Sequence, residues 1–259
     1  MSQLKETQLN ESPGVISSGA EAKPLISVIM GAFNCEKTIG EAIQCILDQA
    51  YTNWELVICD DGSSDGTFGA ISAFQRDYPE KVRVMQNEAN KGLNLTLNRC
   101  LKEAHGEYIA RMDGDDVCSP DRFEKELRVF EENEDIDIVS TDMNYFDENG
   151  IWGCLQHPER PVFRDFMKES PFCHAPCMVR KMAYDAVGGY SEDPKTLRVE
   201  DYDLWIRMYA AGFRGYNIHE ALYSMRDDRN AYRRRKFSHR LNQSVCRLLL
   251  VFGSRRSST

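Results

Sequence analysis

The chain has 259 residues, of which 42% are hydrophobic and 28% charged, and this length can bury one large core. The formal net charge is −9, but residues 226–259 carry ten Lys and Arg against two Asp, which leaves −17 for the rest. An acidic body argues against nucleic acid as the main partner. We therefore expect one domain, residues 24–225, followed by a basic tail, residues 226–259.

Both ends of the chain differ in composition from the middle. Residues 1–23 are polar and lack a basic start and an apolar core, so we expect a disordered arm and no signal peptide. No run reaches the roughly 18 apolar residues that cross a bilayer. In the tail, apolar and basic residues at helical spacing predict an amphipathic helix that contacts an anionic membrane surface or phosphate groups. Its apolar residues are Phe237, Leu241, Val245, Leu248 and Phe252. We expect a cytoplasmic protein with peripheral contact at the inner face of the plasma membrane.

The nine cysteines are odd in number and lack the spacing of a disulfide framework. Several of them, such as Cys45, Cys59 and Cys100, fall where core residues belong, which favours free thiols in a reducing cytosol. The segment "CHAPC", residues 173–177, could hold zinc, but it lacks a second pair of ligands. Ordinary packing is the alternative for this segment.

From residue 24 onward, short apolar runs alternate with helical patterns. Strands are predicted at "LISVIM" (25–30), "ELVICD" (55–60), "VRVM" (82–85) and "EYIARM" (107–112). Helices are predicted after the first and third strands, and Thr38 with Glu41 forms a candidate capping box for the first helix. Apolar strands separated by helices predict an α/β fold with a single Rossmann-like, mostly parallel central sheet flanked by helices, with the helical tail as a C-terminal extension.

Polar segments follow three of the predicted strands. They are "GAFN" (31–34), "DDGSSDGT" (60–67) and "DGDD" (113–116). Because ligands bind beyond the carboxyl ends of the strands in such sheets, we expect the three segments to line one crevice. Beyond residue 140 the pattern is irregular, although "EDYDLWIRMYAAG" (200–212) predicts a helix. Its expected buried residues are Leu204, Trp205 and Met208.

Three carboxylates, those of Asp113, Asp115 and Asp116, lie within four positions after the fourth strand. Like charges this close repel unless water, a cation or a ligand screens them. Mg²⁺ and Mn²⁺ accept one or two carboxylates while phosphates and water complete the shell, so D-G-D is a candidate metal site. As a calcium loop the segment fails, because Val117 and Cys118 replace an oxygen ligand and the required glycine.

The same segment allows a second reading as a phosphatase of the haloacid dehalogenase type, with Asp113 as the nucleophile. That family's motif usually follows the first strand, whereas here it follows the fourth. Neither common phosphate-binding loop is present, because no G-x-G-x-x-G follows the first strand and no Walker A sequence occurs. A nucleotide would therefore be held by a metal ion and by side chains.

Four segments in this order resemble the inverting glycosyltransferases of family 2, which have the GT-A fold, and point to the bacterial polysaccharide-biosynthesis type. They span about residues 24–223 and read "SVIMGAFN", "ELVICDDGSSDGT", "NKGLNLTLNRCLKEAHGEYIARMDGDD" and "VEDYDLWIRM". The resemblance implies a nucleotide-sugar donor, UDP-linked, and a glycan or a lipid-linked saccharide as the acceptor. It also implies a role for individual residues.

By this resemblance, Ala32 and Phe33 line the nucleobase pocket and Asp60 hydrogen-bonds the uracil ring. Asp113 then lies near the ribose and the metal. Asp115, the second carboxylate of the D-x-D motif, is implied as the ligand of Mg²⁺ or Mn²⁺.

Transfer with inversion in one displacement requires a base that takes the proton of the acceptor hydroxyl. By resemblance to the E-D pair of the family, Asp201 is the candidate, with Glu200 as a neighbour that contacts the acceptor. The alternative is that both residues are ordinary charges at a helix N-terminus, where carboxylates are favoured.

The sequence departs from the family in two places. "GAFN" (31–34) stands where relatives usually have Pro-Thr-Tyr-Asn, so a hydroxyl contact to the base is lost at Ala32. A histidine that many relatives carry after residues 222–226 is also missing, and Arg226, Arg229 or residues 233–235 (beginning with Arg233) could neutralise the leaving diphosphate instead. The alternative is that these arginines form a solvated basic surface and do not contact the diphosphate. These departures keep a catalytically silent binding module open as a rival to the enzyme.

Overall fold

A computed structural model describes residues 23–196 and 198–227, so the predicted arm up to residue 22 and the tail from residue 228 lie outside it. Within these ranges no helix is long and apolar enough to cross a membrane. The strands are β1 (Ile26–Ala32), β2 (Trp54–Asp60), β3 (Val82–Gln86), β4 (Tyr108–Arg111), β5 (Val117–Cys118), β6 (Ile138–Asp147), β7 (Gly150–Leu155), β8 (Met178–Arg180) and β9 (Gly215–Arg226). The helices are α1 (Ile39–Leu47), α2 (Thr67–Asp77), α3 (Leu93–Glu103), α4 (Arg122–Glu132), α5 (Lys181–Val187) and α6 (Glu200–Ala210). Two short 3-10 helices span Phe163–Met167 and Pro194–Thr196.

The first four strands are parallel, as predicted, and they form a half-sheet in the order β3-β2-β1-β4. The register pairs Ala32 with Asp60, and Asp60 with Gln86. The carboxyl ends of β1, β2 and β3 therefore lie side by side. The polar segments that follow these strands all leave the sheet at this edge.

The sheet continues from β4 through β8, β6 and β9 to β5, with β7 beside β6. β8 is antiparallel to both β4 and β6, whereas β6 and β9 are parallel over most of their length. The predicted α/β class is confirmed. The region beyond residue 140, where no strands were predicted, makes the complete sheet a mixed one.

Alternate residues of β1 point to two separate cores. Val28 and Met30 join the core beneath α1, whereas Ile29 joins the core formed with α3 and α6. The predicted inward residues of α6 are fully buried in this second core; they are Leu204, Trp205 and Met208. The two cores cover both faces of the sheet, as expected for strands that are apolar throughout.

The predicted capping box of α1 is wrong. Thr38 is the N-cap residue, but its side chain makes no capping hydrogen bond. Its hydroxyl instead donates to the carbonyl of Gly114 at 3.0 Å, and Glu41 pairs with Arg226 at 2.7 Å. Both side chains thus make tertiary contacts instead of capping the helix. These contacts link the start of α1 to the acid loop, which we define as residues 113–116.

Helix α4 carries an ion pair, Arg122–Glu126, in which both side chains are 0% exposed and the Nε–Oε1 distance is 3.1 Å. The Nη1 atom of Arg122 also donates to the carbonyl oxygen of Arg111 at 3.1 Å. Because Arg111 ends β4, this ion pair supports the strand from which the acid loop begins. Removal of one partner would leave the other charge buried and unpaired.

We predict that Arg122→Leu lowers the free energy of unfolding by about 3 kcal/mol, because Glu126 loses its partner in the core. Arg128→Leu changes an exposed arginine of the same helix and should cost less than about 0.5 kcal/mol. Urea unfolding followed by circular dichroism measures both. Equal stabilities of the two variants would contradict the role of the buried pair.

Candidate active site

The loops after β1 and β2 are joined by a set of short-range contacts. Asn34 adopts a left-handed backbone, with φ at 50°, and its Oδ1 accepts a hydrogen bond from the amide of Ser64 at 2.9 Å. The amide of Cys35 donates to the hydroxyl of Thr67, also at 2.9 Å. Asparagine tolerates this backbone better than most residues. The segment "SSDGT" (63–67) is thus joined to the loop after β1 by specific hydrogen bonds, contacts that the sequence analysis did not identify.

The two adjacent carboxylates after β2 have different surroundings. Asp60 is fully buried, and its Oδ2 accepts hydrogen bonds from Gln86 and Ser63, whereas its Oδ1 has no partner among the described residues. Asp61 accepts three hydrogen bonds, from the side chain of Asn87 and from the amides of Lys91 and Gly92. Asp61 thus holds the loop after β3, while the Oδ1 of Asp60 is a buried acceptor atom without a partner among the described residues.

A cavity of about 350 Å³ opens beside these loops. Its walls include two predicted nucleotide-binding residues, Ala32 and Phe33, and also Asp61, Asn94, Arg198 and Glu200. Phe33 is 48% exposed, so its side chain is accessible for stacking. The cavity thus joins the predicted base pocket to the start of α6. Asp60, Asp113, Asp115 and Asp201 lie outside its wall.

The acid loop is fastened to β9 through its last carboxylate. Asp116 is buried and accepts hydrogen bonds from the Tyr223 hydroxyl at 2.9 Å and from the Arg226 amide at 2.8 Å. The amide of Asp113 donates to the same hydroxyl at 3.1 Å. Burial, with the charges of Asp113 and Asp115, raises the pKa of Asp116 to about 8. The third carboxylate of the loop is therefore a structural one.

Asp113 and Asp115 differ in their side-chain partners. Asp113 pairs with Arg111, whose Nη2 lies 2.6 Å from its Oδ1. Among the described residues no other side chain hydrogen-bonds or pairs with the Asp115 carboxylate, and desolvation together with the charge of Asp113 raises its pKa. A cation at Asp115 would remove this electrostatic penalty.

The donor set at Asp115 fits a hard divalent ion whose shell is completed by phosphates and water. No group of three or more His, Cys, Asp or Glu residues that could hold a metal occurs among the described residues. One or two carboxylates are what a Mg²⁺ or Mn²⁺ site needs when a substrate diphosphate provides the remaining oxygens. Asp115, beside Asp113, meets that requirement.

Glu200 and Asp201 occupy the first turn of α6. Burial is the main cause that raises the pKa of both carboxyl groups, and the charge of Arg111 opposes the rise. The Arg111 side chain is only 4% exposed. This buried cation, which the sequence analysis did not identify, therefore acts on the acid loop and on the E-D pair together.

Arg226 lies over the acid loop but is already engaged. Its Nε donates to the carbonyl of Asp115 at 3.0 Å, and its Nη2 pairs with Glu41. The other arginines considered for the diphosphate, Arg229 and Arg233 to Arg235, lie outside the described residues. Their role stays a prediction.

The "CHAPC" segment agrees with ordinary packing. Cys173 and Cys177 are buried free thiols, and burial is the main cause that raises the pKa of both. The Nε2 of His174 lies 2.9 Å from the Tyr190 hydroxyl. Desolvation lowers the pKa of His174, so the ring is neutral at pH 7. All eight cysteines of the described residues are free.

The arrangement of strands is similar to that of solved structures with the GT-A fold. The structure of S. aureus TarS 1–349 in complex with UDP matches with a TM-score of 0.67 and 21% identity, over 86% of this chain and 65% of that one. The mannosyltransferase PcManGT from Pyrobaculum calidifontis, in complex with GDP-Man and Mn²⁺, matches with a TM-score of 0.63 and 17% identity, over 92% of this chain and 77% of that one. These likenesses define the fold class, as the sequence resemblance implied.

Sequence comparison identifies the family. The model "Glycosyl transferase family 2" matches residues 27–188. The putative glycosyltransferase EpsE of Bacillus subtilis (strain 168) is 44% identical over 222 residues, which cover 86% of this chain and 80% of EpsE. The UDP-Glc:alpha-D-GlcNAc-diphosphoundecaprenol beta-1,3-glucosyltransferase WfgD of Escherichia coli is 30% identical over 182 residues, which cover 70% of this chain and 68% of WfgD. The chain belongs to glycosyltransferase family 2.

We predict that Asp115→Asn weakens UDP binding in the presence of Mn²⁺ by at least about tenfold, because the amide cannot replace an anionic metal ligand. The melting temperature should change little, since no other side chain among the described residues pairs with Asp115. Calorimetric titration measures the affinity. Asp77→Asn, at the exposed end of α2, is the matched control and should bind as the parent does. UDP affinity equal to that of the parent in Asp115→Asn would contradict the metal role.

Proposed function

We propose that this protein is a metal-dependent, inverting glycosyltransferase that takes a sugar from a UDP-linked donor. One observation carries the proposal: the Asp115 carboxylate, which pairs with no other described side chain, and the half-buried Asp201 carboxylate both lie within the electrostatic reach of one buried cation, Arg111. A metal-binding carboxylate and a general base are the two groups that a single-displacement transfer requires. The family membership of the chain gives both residues their expected roles.

The donor nucleotide is supported by the pocket. The free Oδ1 of Asp60 can accept a hydrogen bond from a ring N–H such as that of uracil, and the exposed ring of Phe33 can stack on the base. The names of two similar proteins, WfgD and the TarS complex, include UDP-Glc and UDP. Ala32 has no hydroxyl group, so this pocket lacks the hydroxyl contact to the nucleobase that is expected in relatives.

In the proposed reaction, Asp115 would hold the divalent ion and Asp60 holds the uracil ring of the donor. When bound, a divalent ion would act as a Lewis acid toward the leaving diphosphate. Asp201 accepts the proton of the acceptor hydroxyl as the oxygen attacks the anomeric carbon, the bond from that carbon to the diphosphate oxygen breaks and UDP leaves with its electron pair. Glu200 contacts the acceptor. Desolvation raises the pKa of Asp201, which makes it a stronger base than an exposed aspartate.

The acceptor is proposed to be a lipid-linked saccharide or another glycan of a surface polysaccharide. The name of WfgD includes a diphosphoundecaprenol-linked sugar. A lipid-linked acceptor would agree with action at the inner face of the plasma membrane. The basic tail, residues 226–259, is the proposed membrane contact.

The two rival functions make different predictions. A haloacid dehalogenase-type phosphatase would need Asp113 as a free nucleophile, but Asp113 is paired with Arg111 at 2.6 Å and follows the fourth strand. A catalytically silent module would bind the donor without releasing the sugar. Slow release of UDP from a UDP-sugar by the parent protein would therefore rule out the silent module.

We predict that Asp201→Asn keeps UDP and metal affinity within a few-fold of the parent but lowers transfer by at least about a hundredfold, because it removes only the proton acceptor. Release of UDP from the donor is the first assay, and transfer follows once the acceptor is known. Asp203→Asn removes a charge of the same helix turn, one that pairs with Arg207, and is the matched control. Equal turnover of Asp201→Asn and Asp203→Asn would show that Asp201 is an ordinary helix-end charge.

We also predict an acid limb in the pH profile of kcat. Asp201 works in its deprotonated form, so transfer is lost as the pH falls through its pKa. Burial raises this pKa above the usual value of about 4, and the midpoint of the limb should lie above it. A midpoint at or below pH ~4, measured with saturating Mn²⁺ and donor, would contradict this assignment.

A further inference from the structure

Arg198 has an unusual backbone, and the only charge of a described residue that it is seen to act on is that of Glu200, without an ion pair between them. Its φ is 67°, in the left-handed region that residues other than glycine seldom adopt. Its guanidinium forms no hydrogen bond or ion pair with any residue that the structure describes. The residue is exposed, and it lines the cavity beside Phe33 and Glu200.

The neighbours of Arg198 hold it in this conformation. Val199 is fully buried, and its amide donates to the carbonyl of Thr196 at 3.1 Å. Thr196 is itself buried and donates its hydroxyl to the carbonyl of Asp193 at 2.7 Å. Asn94, on the cavity wall, donates to the carbonyl of Ser191 at 2.7 Å. The segment is therefore anchored on both sides of Arg198, and strain of this kind is typical of functional sites.

The charges around the cavity favour a role for Arg198 in binding an anion. Among the described residues that line the cavity, Asp61 and Glu200 are acidic and Arg198 is the only cation. The two other arginines near the site have partners, since Arg111 pairs with Asp113 and Arg226 with Glu41. A nucleoside diphosphate brings further negative charge into this acidic site. Arg198 is the guanidinium that remains free to meet it.

We propose that Arg198 is a binding residue for the donor and that its guanidinium contacts a phosphate oxygen of the nucleoside diphosphate. This inference rests on the proposed function. The planar guanidinium matches phosphate geometry with two parallel hydrogen bonds, which an ammonium group cannot reproduce. The backbone strain keeps the side chain at the mouth of the cavity before the donor arrives.

The test compares three variants with the parent in calorimetric titrations of UDP with Mn²⁺, and in competition by uridine, which lacks phosphates. Arg198→Asn removes the charge with a residue that tolerates the left-handed backbone, so its melting temperature should not fall. Its UDP affinity should fall about tenfold, while its uridine affinity stays unchanged. Arg198→Lys should recover part of the loss. Lys195→Asn, an exposed charge of the same segment that does not line the cavity, should bind UDP as the parent does.

Three results would overturn the inference. If the parent binds UDP and Arg198→Asn binds it equally well, Arg198 is not a donor ligand, although the proposed function stands. Equal losses for UDP and uridine would place the contact at the base or the ribose. A parent protein that binds no UDP would remove the proposed function, and this inference with it.

Discussion

The ion pair between Arg111 and Asp113 is the contact on which the site depends. Five carboxylates gather near the carboxyl ends of β1, β2 and β4, from the acid loop and from the start of α6. Within the described chain, Arg111 is the buried cation that lies among them, 2.6 Å from Asp113. A buried charge without a partner is costly, so the guanidinium and the carboxylate each need the other. The second buried pair, through Arg122, holds the carbonyl of Arg111 and so supports the first.

The surroundings of each carboxylate determine what it can do. The carboxylate of Asp116 is engaged by hydrogen bonds from Tyr223 and Arg226. The carboxylate of Asp61 is engaged by hydrogen bonds from the loop after β3. Asp115 is left without a protein partner, and Asp201 is desolvated at the end of a helix. The carboxylate group therefore makes structural contacts in Asp116 and Asp61. It is the proposed metal ligand in Asp115 and the proposed general base in Asp201. The separation of these roles comes from burial and partners, because the residue type is the same in every case.

Much of the parallel half-sheet could be predicted because its signals are local. Apolar strands such as "LISVIM" and helices with residues such as Leu204 and Trp205 on one face carry their pattern in consecutive residues. The second half could not be predicted in this way. β6 pairs with β9, more than seventy residues later in the chain, and β8 contributes only three residues. Such pairings depend on contacts between distant segments, which periodicity does not report.

The candidate site also has features that could be predicted from the sequence and features that could not. The three polar segments after the strands were predicted to line one crevice. The cavity wall includes Ala32, Phe33 and Asp61 from the first two segments but no residue of the acid loop. Arg111 was read as part of an apolar strand, since nothing in "EYIARM" indicates that its side chain faces a cluster of carboxylates. The left-handed backbone of Arg198 also has no sequence signal, because arginine has no preference for it. The Thr38 hydroxyl matched a capping pattern but is taken by the carbonyl of Gly114, a contact that only the folded chain provides.

The most direct test of the account is a calorimetric titration of the full-length parent protein with UDP, once with Mn²⁺ and once after the metal has been removed by a chelator. The account predicts a binding isotherm with one site per chain in Mn²⁺ and an affinity lower by at least about tenfold without it. Binding of equal strength in both conditions would contradict the metal-dependent site at Asp115. No binding in either condition would contradict the proposed UDP-linked donor.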